Sequence, residues 1–356
     1  MKGKNEEYFK KKLGALPRFP RKSPPYRIHW NWDITFQCNY RCSYCEVEKN
    51  QAQFDFREFD LGRWREIWDR IFDDYWCTHV RFAGGEPTIY PKFLELLGML
   101  LEKHTVDITT NLGFDFRKFL KSVPPGRGLS VSASLHPEYA ELEPFLEKVE
   151  YLHKNGYPAT ICYVGYPPHL EKILEYKKRV EGRRIYFKII PFSGEYKGNP
   201  YPQSYTAGER RLLEGLAKDS ADEHLNEMNT RWYEHLVVKE DEPEKKIKKG
   251  MLCRMGEMYA KIHPDGTVTR CCAGYHGQDS GVLGSILDKN FRLLDEAAPC
   301  SVSYQCPCFK AMAVGNEEEQ WLPLWEALEH PVYRTELIRE YVESLSKKSK
   351  KAARNE

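Results

Sequence analysis

Between residues 28 and 220 the chain alternates two patterns of apolar and polar positions. Short runs rich in β-branched and aromatic residues read as strands: IHWNWDIT, THVRFAG, VDITTN, LSVSASL, ATICYVGY and IYFKIIPF. Between them, apolar residues recur every three or four positions, as on the buried stripe of a helix. Leu61, Trp64, Ile67, Trp68 and Ile71 form the first such stripe. FLELLGMLLEKH after Pro91, ELEPFLEKVEYLHKNG, LEKILEYKKRVEG and AGERRLLEGLAK form the later ones. Pro91 suits the first turn of its helix, and two of the segments close on a Gly suited to a helix end. Six strand-helix units in succession predict an α/β fold, a partial (β/α)6 barrel over residues 28–235. Such a barrel presents its chemistry at the carboxyl ends of the strands.

The flanks read differently. Residues 1–27, with several Lys, Arg and Pro, predict a loosely structured basic arm, and the charged run EDEPEKKIKKG makes 236–250 a linker. A small second domain is expected over 251–315, where Asp265-Gly266 between two alternating runs signals a β-hairpin. Aromatic and aliphatic residues in 316–356 predict one or two helices followed by a frayed tail. The 54 basic and 52 acidic residues leave a net charge of +2, too little for a field that would attract nucleic acid or an anionic membrane. No run approaches the roughly 18 apolar residues of a spanning helix, and the first residues lack a signal-peptide core. The expectation is a cytoplasmic protein without a membrane or nucleic-acid partner.

The eleven cysteines change the picture, because an odd number without a secretory signal argues for metal binding over a disulfide framework. Eight fall into two groups. Cys38, Cys42 and Cys45 stand within eight residues just after the first strand, where a barrel places its site. Three thiolates can hold three irons of a four-iron cluster and leave the fourth open to a chelating ligand. A structural zinc site is the competing reading, and it needs a fourth Cys or His. Cys253, Cys271, Cys300, Cys306 and Cys308 form the second group. Cys271 lies on the return strand of the hairpin, about opposite Ala260, and a chain reversal near Gly256 would bring Cys253 beside it. Cys272 points to the other face from Cys271 and is expected to be core or spare. Cys77 and Cys162 sit in apparent strands, as small buried hydrophobes do.

CNYRCSYC at residues 38–45 resembles the CxxxCxxC signature of the radical S-adenosylmethionine superfamily, including the aromatic residue before the last Cys. Gly84-Gly85-Glu86-Pro87 at the end of the second strand resembles that family's GGEP segment. The resemblance, which covers about residues 28–200, implies a TIM-like partial barrel, one four-iron cluster on Cys38, Cys42 and Cys45, and bound S-adenosylmethionine. It further implies that Tyr44 lies near the adenine, that Gly84, Gly85, Glu86 and Pro87 hold the methionine amino group, and that Asn111 and Ser132 or Ser134 face the ribose or carboxylate. Ile189-Ile190-Pro191 would wall the adenine side. The spacing of Cys253, Gly266-x-x-x-x-Cys271 and the terminal cysteines is similar to the twitch and SPASM extensions of the same superfamily. Six cysteines at most are present where a full SPASM extension has seven, so a single auxiliary four-iron cluster is implied. Cys253, Cys271 and two of Cys300, Cys306 and Cys308 would be its ligands.

The function so implied is reductive cleavage of S-adenosylmethionine and hydrogen abstraction by the deoxyadenosyl radical from a small molecule or peptide. An electron donor such as flavodoxin or ferredoxin would be the partner, and the auxiliary cluster would assist oxidation or bind substrate. The residues before the first strand are taken as too few for a leader-peptide or cobalamin domain. A non-enzymatic zinc or iron-sulfur module is the alternative class.

Overall fold

The computed structural model describes residues 28–45, 47, 60–75, 78–123, 128–157, 159–181, 183, 185, 187–218, 250, 252–271 and 281–300. The expected arm, most of the linker, the C-terminal helices, Cys77, Cys272, Cys306 and Cys308 lie outside the described residues.

The six expected strands form within a residue or two of the sequence reading: β1 (His29–Thr35), β2 (His79–Gly84), β3 (Thr105–Thr110), β4 (Leu129–Leu135), β5 (Ala159–Gly165) and β6 (Phe187–Pro191). Each pairs in parallel with the next. The helices α1 (Leu61–Tyr75), α2 (Phe93–Leu100), α3 (Phe116–Ser122), α4 (Leu142–Lys154), α5 (Leu170–Glu181) and α6 (Ala207–Lys218) follow the strands in turn. Two local expectations shift. Pro91 precedes α2 without entering it, because the left-handed Lys92 (φ 55°) caps the helix; Pro87 instead starts a 3₁₀ turn, Pro87–Ile89. The short helix α3 carries too few turns for its apolar period to show in the sequence.

Alternation decides which way each strand residue faces. Trp30, Trp32, Val80, Phe82, Val106, Ile108, Val131, Ile161 and Ile189 are buried in the main core, which also takes the apolar stripes of the helices. Trp64 and Trp68 of α1 pack edge-on or tilted against Trp30 and Trp32, with ring centroids 4.5 to 6.1 Å apart. The residues between them, Asn31, Asp33, Arg81, Asp107, Ser132, Cys162 and Lys188, share the opposite face of the sheet.

The sheet continues past β1. The expected hairpin forms as β10 (Tyr259–Ile262) and β11 (Thr267–Thr269), and β12 (Val282–Ser285) extends it. Two short pairs lie outside the main sheet: β7 (Gly194–Tyr196) with β8 (Asn199–Tyr201), and β9 (Leu252–Cys253) with β13 (Ala298–Pro299). Strand β10 pairs in parallel with β1, so the nine-stranded order is β12-β11-β10-β1-β2-β3-β4-β5-β6. Lys261 of β10 and Asp33 of β1 form an ion pair at 2.7 Å, with both side chains about 2% exposed or less. Removing one partner of such a pair strands a buried charge and costs about 3 to 5 kcal/mol. Lys261→Met is therefore expected to lower the free energy of urea unfolding by about that amount, and an added Asp33→Asn to recover most of it. Equal stability of Lys261→Met and wild type would show that the β1-β10 seam does not depend on this pair.

Candidate functional site

One cavity of about 330 Å³ lies at the carboxyl ends of the strands. Its lining draws on the loop after β1 and on the tips of β2, β3, β4, β5 and β6. Six consecutive strands can border one cavity of that size only if the sheet curls around it, as a partial barrel does.

The floor of the site is a backbone contact. Gly85 N donates to Thr35 O at 2.8 Å, and Glu86 N donates to Gln37 O at 2.9 Å. A Cβ on Gly85 would stand 2.0 Å from Gln37 O, and one on Gly84, whose φ is +99°, would stand 2.4 Å from Thr35 O. Only glycine tolerates either position, for reach at both and for backbone conformation at Gly84. Both glycines thus serve first to seat the cysteine loop, while also lining the cavity.

Glu86 is 1% exposed, and its carboxylate is engaged from several directions. Oε1 accepts from Thr88 N (3.1 Å), Thr88 Oγ1 (2.6 Å) and Thr110 Oγ1 (2.8 Å), and Oε2 accepts from Asn111 N (2.8 Å). Among the described residues Oε2 accepts this one hydrogen bond and so keeps acceptor capacity, and Glu86 borders the cavity. Pro87, buried, begins the 3₁₀ turn that this carboxylate caps.

A clamp from the β4-α4 segment grips the cysteine loop from above. Glu138 accepts from Ser43 N at 2.8 Å and from Ser43 Oγ, and Tyr139 Oη donates to Arg41 O at 2.8 Å. The Tyr40 and Tyr139 rings stack with centroids 4.6 Å apart, inclined by 11°. Tyr44 Oη lies 2.9 Å from His136 Nδ1. Burial lowers the His136 pKa to about 4 and raises that of the Tyr44 phenol well above its usual value. Near neutral pH the phenol therefore donates and the neutral imidazole accepts. His136, Glu138 and Tyr139 carry no spacing motif; their position just past a strand tip is the one signal that marks them.

Cys38, Cys42 and Cys45 all border the cavity. Tyr40 N (3.3 Å) and Asn111 Nδ2 (3.9 Å) point at the Cys38 sulfur. Burial and the neighbouring Cys45 and Glu138 push the Cys42 thiol up to about 12. Such a thiol gives up its proton to a metal, so loading the site releases protons and weakens as pH falls. No three His, Cys, Asp or Glu side chains among the described residues are gathered as one metal ion would require. A four-iron cluster takes its three thiolates on separate irons and does not need them on one ion. The donor set, the remaining acceptor capacity of Glu86 and the adjoining cavity fit a cluster with a chelating amino acid beside it.

The other expected site residues divide. Asn111 and Ser134 border the cavity, as do Tyr44, Ile190 and Pro191. Ile189 faces the core on the other side of β6. Ser132 does not reach the cavity lining; its hydroxyl donates to Asp107, 3.0 Å from Oδ2. Phe192, beside Pro191, adds an apolar wall that the sequence reading did not single out.

At the second cysteine group, β9 pairs with β13, aligning Ala298 with Cys253. Cys253 and Met255 form a small core on which Cys271 and Cys300 pack. The reversal at Gly256 is present (φ +94°), and Lys261↔Thr269 pairing continues to set Cys271 opposite Tyr259, one residue from the expected partner. Arg270 holds the assembly, donating to the carbonyls of Met255, Pro299, Cys253 and Ala298 at 2.7 to 3.2 Å.

Comparisons with known proteins agree with this geometry. The chain is 26% identical over 151 residues to an S-adenosylmethionine-dependent nucleotide dehydratase from Selenomonas ruminantium, covering 42% of this chain and 47% of that protein. It is 32% identical over 83 residues to a GTP 3',8-cyclase from Pectobacterium atrosepticum, covering 22% and 25%. The chain thus spans less than half the length of these curated relatives. A structure of anSMEcpe with bound AdoMet and a peptide shares the fold, with TM-score 0.51 and 18% identity over 73% of this chain and 77% of that one. Streptococcus suis SuiB bound to its precursor peptide SuiA does too, with TM-score 0.51 and 16% identity over 81% and 67%. Residues 32–180 match the Radical SAM superfamily profile. This stretch, which carries the three-cysteine loop and the Gly84-Gly85-Glu86-Pro87 turn seated on it, is a radical SAM superfamily domain.

Proposed function

We propose that the protein is a radical S-adenosylmethionine enzyme that abstracts hydrogen from a substrate bound inside the curled sheet. The observation that carries this reading is the convergence of Cys38, Cys42, Cys45 and Glu86 on one cavity at the strand tips. A four-iron cluster, when bound, supplies the electron that cleaves the carbon-sulfur bond of S-adenosylmethionine to a deoxyadenosyl radical. The chain's own residues hold the reactants. Oε2 of Glu86 accepts from the methionine ammonium, and the Asn111 amide and Ser134 hydroxyl face the polar part of the ligand. Tyr44, Ile190, Pro191 and Phe192 form the apolar side suited to adenine. An external reductant of the flavodoxin or ferredoxin kind is the electron partner.

Cys253, Cys271 and Cys300, with Cys306 or Cys308, are proposed to hold one auxiliary four-iron cluster that assists oxidation or binds substrate. The packing of three of these thiols around one small core supports it. Small-molecule and peptide substrates both have support, since the sequence relatives are named for nucleotide chemistry and the structural neighbours for peptides. Among the described residues no helix is long and apolar enough to cross a membrane.

Three measurements test this reading. Reduced, reconstituted protein is expected to release deoxyadenosine from S-adenosylmethionine alone, and the Cys38→Ala, Cys42→Ala, Cys45→Ala triple variant to release none; release at the original rate would remove the cluster from this loop. Glu86→Gln is expected to weaken S-adenosylmethionine binding about ten- to a hundred-fold, the worth of a charge-assisted hydrogen bond. Unchanged affinity in that variant would remove Glu86 from the ammonium site. A Cys253→Ala, Cys271→Ala variant with native circular dichroism is expected to lose about half its iron yet still release deoxyadenosine. Full iron retention would show that these two residues are not ligands.

A further inference from the structure

Ser43 stands between two of the three thiols of the first cysteine group, directly after Cys42 and two residues before Cys45. Its backbone N–H donates to Glu138 Oε2 at 2.8 Å, and its hydroxyl donates to Oε1 of the same carboxylate. One acidic side chain therefore holds both polar donors of this loop residue, 95 positions away along the chain. Tyr139, next to it, ties the same segment to the loop through Arg41 O, and His169 Nε2 lies 3.4 Å from Glu138 Oε1. The Glu138 side chain is 22% exposed, and neither Glu138 nor Ser43 borders the cavity. The carboxylate thus meets the cysteine loop outside the ligand cavity.

Two features of this contact act on an iron-sulfur cluster in the same sense. A backbone N–H that donates to a ligand sulfur favours the reduced, more negative state, and a nearby negative charge disfavours it. Tyr40 N makes such a contact with Cys38 Sγ at 3.3 Å. Ser43 N is committed to Glu138 instead, and the carboxylate that takes it brings a negative charge to the loop. Besides burial and Cys45, the Glu138 charge raises the hold of the Cys42 thiol on its proton, so it reaches the sulfur as well as the backbone. Arg41 is the one cationic side chain in residues 36–45. It is exposed, and its Nη1 donates to the carbonyls of Cys38 and Tyr40 at 2.6 and 2.8 Å, so solvent screens much of its charge.

We propose that Glu138 is a positioning residue that orders the cysteine loop and, through its charge, lowers the reduction potential of the four-iron cluster the loop holds. The proposal rests on Cys38, Cys42 and Cys45 being the ligands of that cluster. The electron still comes from the external reductant. Glu138 changes how strongly the reduced cluster gives it up to the carbon-sulfur bond of S-adenosylmethionine.

The potential is measured by a redox titration followed by electron paramagnetic resonance on full-length reconstituted protein, without S-adenosylmethionine and at one pH and ionic strength. The signal that belongs to the loop is the one missing from the Cys38→Ala, Cys42→Ala, Cys45→Ala variant. Glu138→Gln keeps an oxygen for Ser43 N and removes the charge. Its midpoint is expected to rise by about 59 mV, a tenfold change in a one-electron equilibrium. Should Glu138→Gln lose its iron, Glu138→Asp and Glu138→Asn make the same comparison at shorter reach, with the lower midpoint expected in Glu138→Asp. A midpoint unchanged or lowered in Glu138→Gln, or equal in the shorter pair, overturns the electrostatic role. The positioning role has a readout that needs no iron: in full-length protein before reconstitution, the Ser43 amide is expected to exchange with solvent about tenfold faster in Glu138→Ala than in wild type. Exchange no faster in that variant, with native circular dichroism, overturns it. If wild type shows no signal that the triple variant lacks, the cluster assignment fails, while amide exchange still reports whether Glu138 orders the loop.

Discussion

The site depends on one backbone contact, the seating of Thr35 to Gln37 on Gly84 and Gly85. Two backbone hydrogen bonds close it, and no Cβ fits at either glycine. Everything chemical is referred to this contact. On one side it fixes where the three-cysteine loop leaves β1; on the other it delivers Glu86, whose carboxylate ties the β2 turn to the end of β3. The loop is then gripped from a third direction by Glu138, Tyr139 and His136. A metal-binding loop without a regular structure of its own is thereby held to three strand ends, and its thiols keep their place at the cavity rim.

The two faces of the sheet divide the labour. Outward residues, led by the tryptophans of β1 and α1, supply the apolar packing that stabilises the fold. Inward positions carry the ion pairs, Lys261 with Asp33 and Arg81 with Asp107. Buried ion pairs contribute little net stability, but each is costly to break, so they act chiefly to specify arrangement. The Lys261-Asp33 pair also joins the hairpin to β1, so the second cysteine group grows out of the same sheet that bears the first.

The sequence by itself determined the six strands, the long helices, the three-cysteine loop and the Gly84-Gly85-Glu86-Pro87 turn, because each depends on periodicity or on residues close along the chain. The hairpin at Asp265-Gly266 was legible for the same reason. Tertiary structure alone decided that the hairpin joins the sheet beside β1, that Ser132 serves Asp107 while Ser134 meets the cavity, and that His136, Glu138 and Tyr139 clamp a loop some ninety residues earlier. Local pattern states that a residue is polar and which way its strand alternates. It does not state which distant partner stands opposite, and that is set only when strand register and the curl of the sheet bring separate segments to one point.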